Sequence, residues 1–105
     1  MPSNINNIYL NPNYGVSGQA LTVSTVAVSL FGTTPPSVAT KFVLIDVQAQ
    51  PVTVTYGGEV PAPGTVGHAL PSGFTDIWTV GRALRAKFIR TGASDAVVYA
   101  SEFVL

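Results

Sequence analysis

No cysteine occurs among the 105 residues. Disulfides, a thiolate nucleophile and cysteine-ligated zinc are thereby excluded. Charge is nearly as scarce. Five basic and five acidic side chains make 10% of the chain, against roughly 25% in an ordinary soluble domain. They cancel to a formal net charge of zero, so there is no electrostatic footprint for nucleic acid. No Lys, Arg, Asp or Glu precedes Lys41. A segment so poor in charge suits a surface flanked by protein, and near-zero net charge favours association. No apolar run approaches the ~18 residues of a membrane span. The first fifteen residues lack both a basic stretch and an apolar core, so neither a membrane partner nor a signal peptide is expected. Helix-forming periodicity is also missing.

What is present is apolar and β-branched: 47% of the residues are hydrophobic, which argues against disorder. The length fits one domain with a single core. Residues 1–18 read as an N-terminal arm and residues 19–105 as the domain. The arm holds Asn4, Asn6, Asn7, Asn11 and Asn13, two prolines and two glycines around one apolar piece, Ile8-Tyr9-Leu10. Laid on a neighbouring subunit, it would use Ile8, Tyr9, Leu10 and Tyr14 as anchors.

Gln19 to Phe31 is strand-like, but its apolar parity slips near Ser24-Thr25. A period of two cannot absorb that slip, so a bulge or break is expected there. Lys41 to Ala49 is a strand whose first half reads as buried on both sides, as in a central strand, and whose second half has one wet face. Val52, Val54 and Tyr56 form another, with Thr53 and Thr55 outward and Gln48 to Pro51 as a hairpin connection. Gly57 to Gly67 holds four glycines and two prolines in eleven residues. It reads as a long loop that either crosses between sheets or projects from the body, and Glu59 and Val60 are its candidate contact residues. Phe74 to Val80 is a strand. Leu84 to Val104 then reads as a hairpin, turning at Thr91-Gly92-Ala93-Ser94-Asp95. Seven to eight short strands at roughly ten-residue spacing point to an all-β fold, an antiparallel β-sandwich of jelly-roll-like or Ig-like topology.

Few groups suggest chemistry. His68, the one histidine, sits in a Gly/Pro-rich segment with Ser72 nearby in sequence and no marked acid, so a loop histidine is the simpler reading. Asp46, Glu59, Asp76, Asp95 and Glu102 make no metal or acid-base motif. Gly57-Gly58 lacks the Lys-Ser/Thr of a phosphate loop. No catalytic, cofactor-binding or metal-ligating residue is expected. Arg82, Arg85, Lys87 and Arg90 form a local basic cluster. Arg85 and Lys87 share strand parity, which suits pairing with Asp76, Asp95 or Glu102, or contact with a neighbouring subunit. Phe74, Tyr56, Trp78 and Tyr99 are either core or a sugar-stacking platform.

From Lys41 onward the chain resembles a known family. A Phe42-Val-Leu-Ile-Asp-Val-Gln48 strand leads to Val52-x-Val-x-Tyr-Gly-Gly58. Gly67-His-Ala-Leu-Pro-Ser-Gly73 follows, then Ala86-x-Phe-Ile-Arg90 and Val97-Val-Tyr-x-Ser101. This is similar to the small β-sandwich auxiliary proteins of tailed bacteriophage virions, of the head decoration or cement type. The resemblance covers about 60% of the chain and implies a non-enzymatic structural protein on the capsid exterior, made in the host cytoplasm. It implies the major capsid protein or other virion proteins as partners, and a homo-oligomer, a trimer being one order to consider. A tail, collar or fibre-attachment component is the nearest alternative, and a carbohydrate-binding β-sandwich module the next.

Overall fold

A computed structural model describes residues 18–32 and 35–103. The arm anchors Ile8, Tyr9, Leu10 and Tyr14 lie outside the described residues. Among the described residues eight strands run in chain order: β1 Gly18–Val23, β2 Val28–Ser29, β3 Phe42–Gln48, β4 Val52–Thr55, β5 His68–Leu70, β6 Thr75–Thr79, β7 Lys87–Arg90 and β8 Ala96–Phe103. A short helix, α1 Val80–Arg85, joins β6 to β7.

The pairing explains the whole path. Strands β1, β2, β3 and β4 pair antiparallel with β8, β7, β6 and β5 respectively. The chain is therefore one long two-stranded ribbon whose tip is the loop between β4 and β5. Rolling that ribbon brings β3 against β8 and β4 against β7. Two four-stranded antiparallel sheets result, ordered β1-β8-β3-β6 and β2-β7-β4-β5. This all-β sandwich has the strand order of a jelly roll, so the Ig-like alternative falls away.

In a rolled ribbon every connection except the tip crosses between sheets. One sequence expectation is settled and two are revised for that reason. The parity slip at Ser24-Thr25 is a full break: residues 24–27 carry the chain from the first sheet to the second, and the Ser24 carbonyl accepts from the Arg90 N–H at 3.0 Å. Gln48 to Pro51 is not a hairpin turn. It joins different sheets, and Ala49 enters the left-handed region at φ 73° to do so. Nor is Leu84 to Val104 a hairpin, because β7 and β8 lie in different sheets. The turn chemistry at 91–95 makes a corner, closed by an ion pair between Arg90 and Asp95 at 2.8 Å.

The helix was not foreseen. Leu84 and Arg85, read as strand, form its last turn. Thr79 supplies the N-cap, its hydroxyl accepting from the Arg82 N–H at 3.4 Å. Ala83, Leu84 and Arg85 are good helix formers, and Ala83 is buried against the core. Six residues are too few for a 3.6-residue period to show in the sequence.

The core lies between the sheets. Val43, Ile45 and Val47 of β3 face Val52 and Val54 of β4, with Val23, Val98 and Phe88 around them. Trp78 from the first sheet stacks on Phe88 from the second at 6.1 Å and 7°. Glu102 also points inward, opposite Val43. Its Oε1 accepts from the Ser37 N–H at 2.8 Å and the Thr40 hydroxyl at 2.7 Å.

Candidate functional site

Each sheet has an outer face as well as a core face, and the two outer faces differ. On the second sheet the outward side chains of β4 are Thr53 and Thr55. Both were expected to face outward and do, yet both are buried, at 2% and 3% exposure. The loop 57–67 covers them. Thr55 donates its hydroxyl to the Glu59 carbonyl, and the Thr53 hydroxyl bonds that of Thr91 at 2.8 Å. Gly67 sits at φ +112°, where an added Cβ would lie 2.7 Å from the Val54 carbonyl oxygen and 2.9 Å from the Thr53 methyl. Only glycine permits that closeness. Within the loop Ala62 and Val66 form a small bridge, and Pro61 is fully buried. The loop belongs to a single sheet, so its crossing between sheets is ruled out.

The outer face of the first sheet is built otherwise. Register places its side chains in rows across the strands. Phe103, Phe42 and Thr79 share one row; Gly18, Ser101, Leu44 and Ile77 share the next. Ala20, Tyr99, Asp46 and Thr75 follow, then Thr22, Val97 and Gln48. Phe42, Leu44, Ile77 and Val97 are half-buried and Tyr99 is 42% exposed. Asp46 is the one charged residue in these rows, and its Oδ2 accepts from the Gln48 amide at 2.8 Å. This is a charge-poor surface on which half-buried apolar side chains alternate with neutral polar ones. Such a surface can exclude water against a matching partner; interface cores have this composition.

At the side where β5 and β6 form the sheet edges, polar and aromatic groups meet. The Arg82 guanidinium lies 4.8 Å from the centroid of the Tyr56 ring. Tyr56 packs edge-on to Trp78 at 5.4 Å and against His68 at 5.7 Å. The Trp78 indole N–H donates to Asp76 at 3.2 Å. Burial pushes the Tyr56 phenol up from its ordinary pKa; Arg82 partly offsets this and Asp76 adds to it. A raised pKa keeps the phenol neutral, the reverse of an activated nucleophile. With Trp78 in the core, the four aromatics do not form an exposed sugar-stacking row. Among the described residues no group of three or more His, Cys, Asp or Glu is placed to hold a metal, and no helix is long and apolar enough to cross a membrane.

Glu59 and Val60 lie in the tip loop, Val60 at 64% exposure. The Glu59 carboxylate accepts from the Gly57 N–H at 3.1 Å, so this side chain also ties its own loop. Arg85 and Lys87 do not make the stripe that shared parity suggested, because Arg85 is helical and exposed while Lys87 lies in β7, half-buried. Phe42, Leu44, Ile77, Tyr99 and Phe103 were not among the candidate contact residues. Their one sequence signal was the doubled apolar character of Phe42-Val-Leu-Ile45, which marks two apolar faces without saying that one lies outside the sandwich. Comparison with family models, curated proteins and solved structures finds no match.

Proposed function

We propose that this protein is a non-enzymatic structural component of a tailed-bacteriophage particle, a head decoration protein that binds and bridges major capsid subunits on the capsid exterior. The observation that carries the reading is the contrast between the two outer faces. On the second sheet the loop 57–67 covers the outward side chains of β4, whereas the first sheet presents half-buried Phe42, Leu44 and Ile77 and exposed Tyr99, with Asp46 the single charge among them. Apolar and neutral hydrogen-bonding surface of this kind works by many weak contacts, which a symmetric lattice multiplies. The resemblance of the stretch from Lys41 onward names the particle. The jelly-roll order is compatible with it, since viral capsid domains use that order, as do lectins and cupins; fold alone does not select among them.

The test is co-sedimentation of the full chain with purified phage heads that lack the protein. Saturable, stoichiometric binding is expected. It should survive added salt, because apolar contacts are not screened. No binding to heads in any buffer overturns the decoration reading. Binding to tails or collars in place of heads moves the protein to that part of the particle.

A further inference from the structure

We propose that β6 is a latent edge for pairing with β6 of a second copy of this chain, and that Asp76 holds this edge shut. The proposal concerns the rim of the first sheet, not its outer face, and stands apart from the decoration reading.

A sheet edge invites extra strands, because its outward amides and carbonyls are unpaired. The second sheet ends on β2 and β5, two and three residues long, too short to template much pairing. The first sheet ends on β1 and β6. β1 adjoins residues outside the described ones, whereas β6, five residues long, is described on both sides. Its sequence, Thr75-Asp76-Ile77-Trp78-Thr79, contains no proline and is rich in strand formers.

Register tells which backbone groups of β6 face outward. The Val80 N–H donates to the Lys41 carbonyl at 3.0 Å, and the Val47 N–H donates to the Phe74 carbonyl at 2.9 Å. Bonded pairs alternate along an antiparallel ladder, so Asp76 and Trp78 turn their backbone groups to β3 while Thr75, Ile77 and Thr79 turn theirs away. That outward set is self-complementary. An antiparallel copy of β6 centred on Ile77 sets Ile77 opposite Ile77 and Thr75 opposite Thr79, each with its bonding groups facing the other strand. This is the isologous geometry of a two-fold dimer, and it selects a second copy as the occupant.

Asp76 closes the centre of that geometry. Its Oδ1 accepts from the Ile77 N–H at 2.8 Å, and its Oδ2 accepts from the Trp78 indole N–H at 3.2 Å, which holds the carboxylate in place. The amide on the two-fold axis is thus already satisfied, and a charge stands where an incoming carbonyl must come. Among the described residues no Lys or Arg pairs with Asp76. Two copies meeting at β6 would bring two such carboxylates within ~5 Å of each other, and like charges across a strand pair repel. A charged side chain on the inward parity of an edge strand is one of the devices by which sheets avoid edge-to-edge association.

The experiment compares the full chain with Asp76→Ala by light scattering over a wide concentration range and by amide hydrogen exchange. In dilute solution the Ile77 amide should exchange about tenfold faster in the variant, the factor that a hydrogen bond to a charged acceptor supplies, while the amides of β3 keep their rates. On concentration the variant should form a species of twice the wild-type mass, and its Ile77 amide should become protected again. Adding Ile77→Pro to Asp76→Ala should restore the wild-type mass, because proline removes an outward donor and leaves the ladder to β3 intact. Asp76→Asn keeps one acceptor oxygen and loses the charge. It should double in mass at higher concentration than the alanine variant, and it carries the mass test should the alanine variant not fold. A wild-type mass at every concentration, equal Ile77 exchange in the two proteins, or association that survives Ile77→Pro overturns the proposal.

Discussion

Among the described residues Glu102 is the one buried acidic side chain, and its removal has a calculable cost. It is 3% exposed, and one of its oxygens takes two short hydrogen bonds, from the Ser37 N–H and the Thr40 hydroxyl. These bonds tie Ser37 and Thr40, in the connection between β2 and β3, to β8. Hydrogen bonds to a charged partner contribute ~1.5–3 kcal/mol each, and a buried donor left unmet costs ~1–3 kcal/mol. Ser37 is exposed, so its N–H can rehydrate; Thr40 is buried and cannot. Counting one full bond and one stranded hydroxyl, Glu102→Ala should destabilise the domain by about 3 kcal/mol. At roughly 4–5 °C per kcal/mol for this size, the Tm falls by about 12–15 °C. Glu102→Gln keeps an acceptor oxygen and loses only the charge assistance, so about 1 kcal/mol is expected. Urea and thermal denaturation followed by Trp78 emission would measure both. An alanine variant within ~0.5 kcal/mol of wild type, or a glutamine variant as costly as alanine, would refute the assignment of these bonds as the source.

The cover over the second sheet depends on Gly67. Gly67→Ala should cost about 3 kcal/mol from a left-handed φ plus the clash with the Val54 carbonyl. Gly58→Ala, also at positive φ but with open space around it, should cost only about 1 kcal/mol, and equal losses in urea titrations would show that closeness to β4 is irrelevant. Tyr56 has a raised pKa from burial. The folded state holds its proton more tightly than the unfolded chain, so its contribution is fully present below the ordinary tyrosine value of about 10 and is lost as pH rises above that. Denaturation midpoints across the alkaline range should therefore fall less steeply for Tyr56→Phe than for wild type; parallel curves would contradict the burial of the phenol. The Arg90–Asp95 pair is partly exposed, and Asp95→Asn should change stability by no more than about 1 kcal/mol.

Strand identity was legible because alternation and β-branching are local. Val43, Ile45 and Val47 announce one core face by themselves, and the glycines and prolines at 57–67 announce a loop. Pairing was less legible. Thr91 to Asp95 has the chemistry of a turn whether the next strand returns to the same sheet or crosses to the other. The rolled ribbon, set by contacts distant in sequence, decides for the crossing. Alternation marked Thr53 and Thr55 as outward; they are buried all the same because a loop later in the chain folds over them. The outer face of the first sheet was hidden for the same reason. Leu44 and Ile77 are neighbours only through the β3–β6 register, which neither segment reveals alone. Charge scarcity is a global property of the chain, and it could not say which face would be left with apolar side chains.

The most direct measurement is co-sedimentation of the full chain with phage heads that lack the protein, across a wide concentration range and in high salt. The proposed decoration role predicts saturable, stoichiometric binding that persists in salt. Absence of binding at every concentration would contradict it.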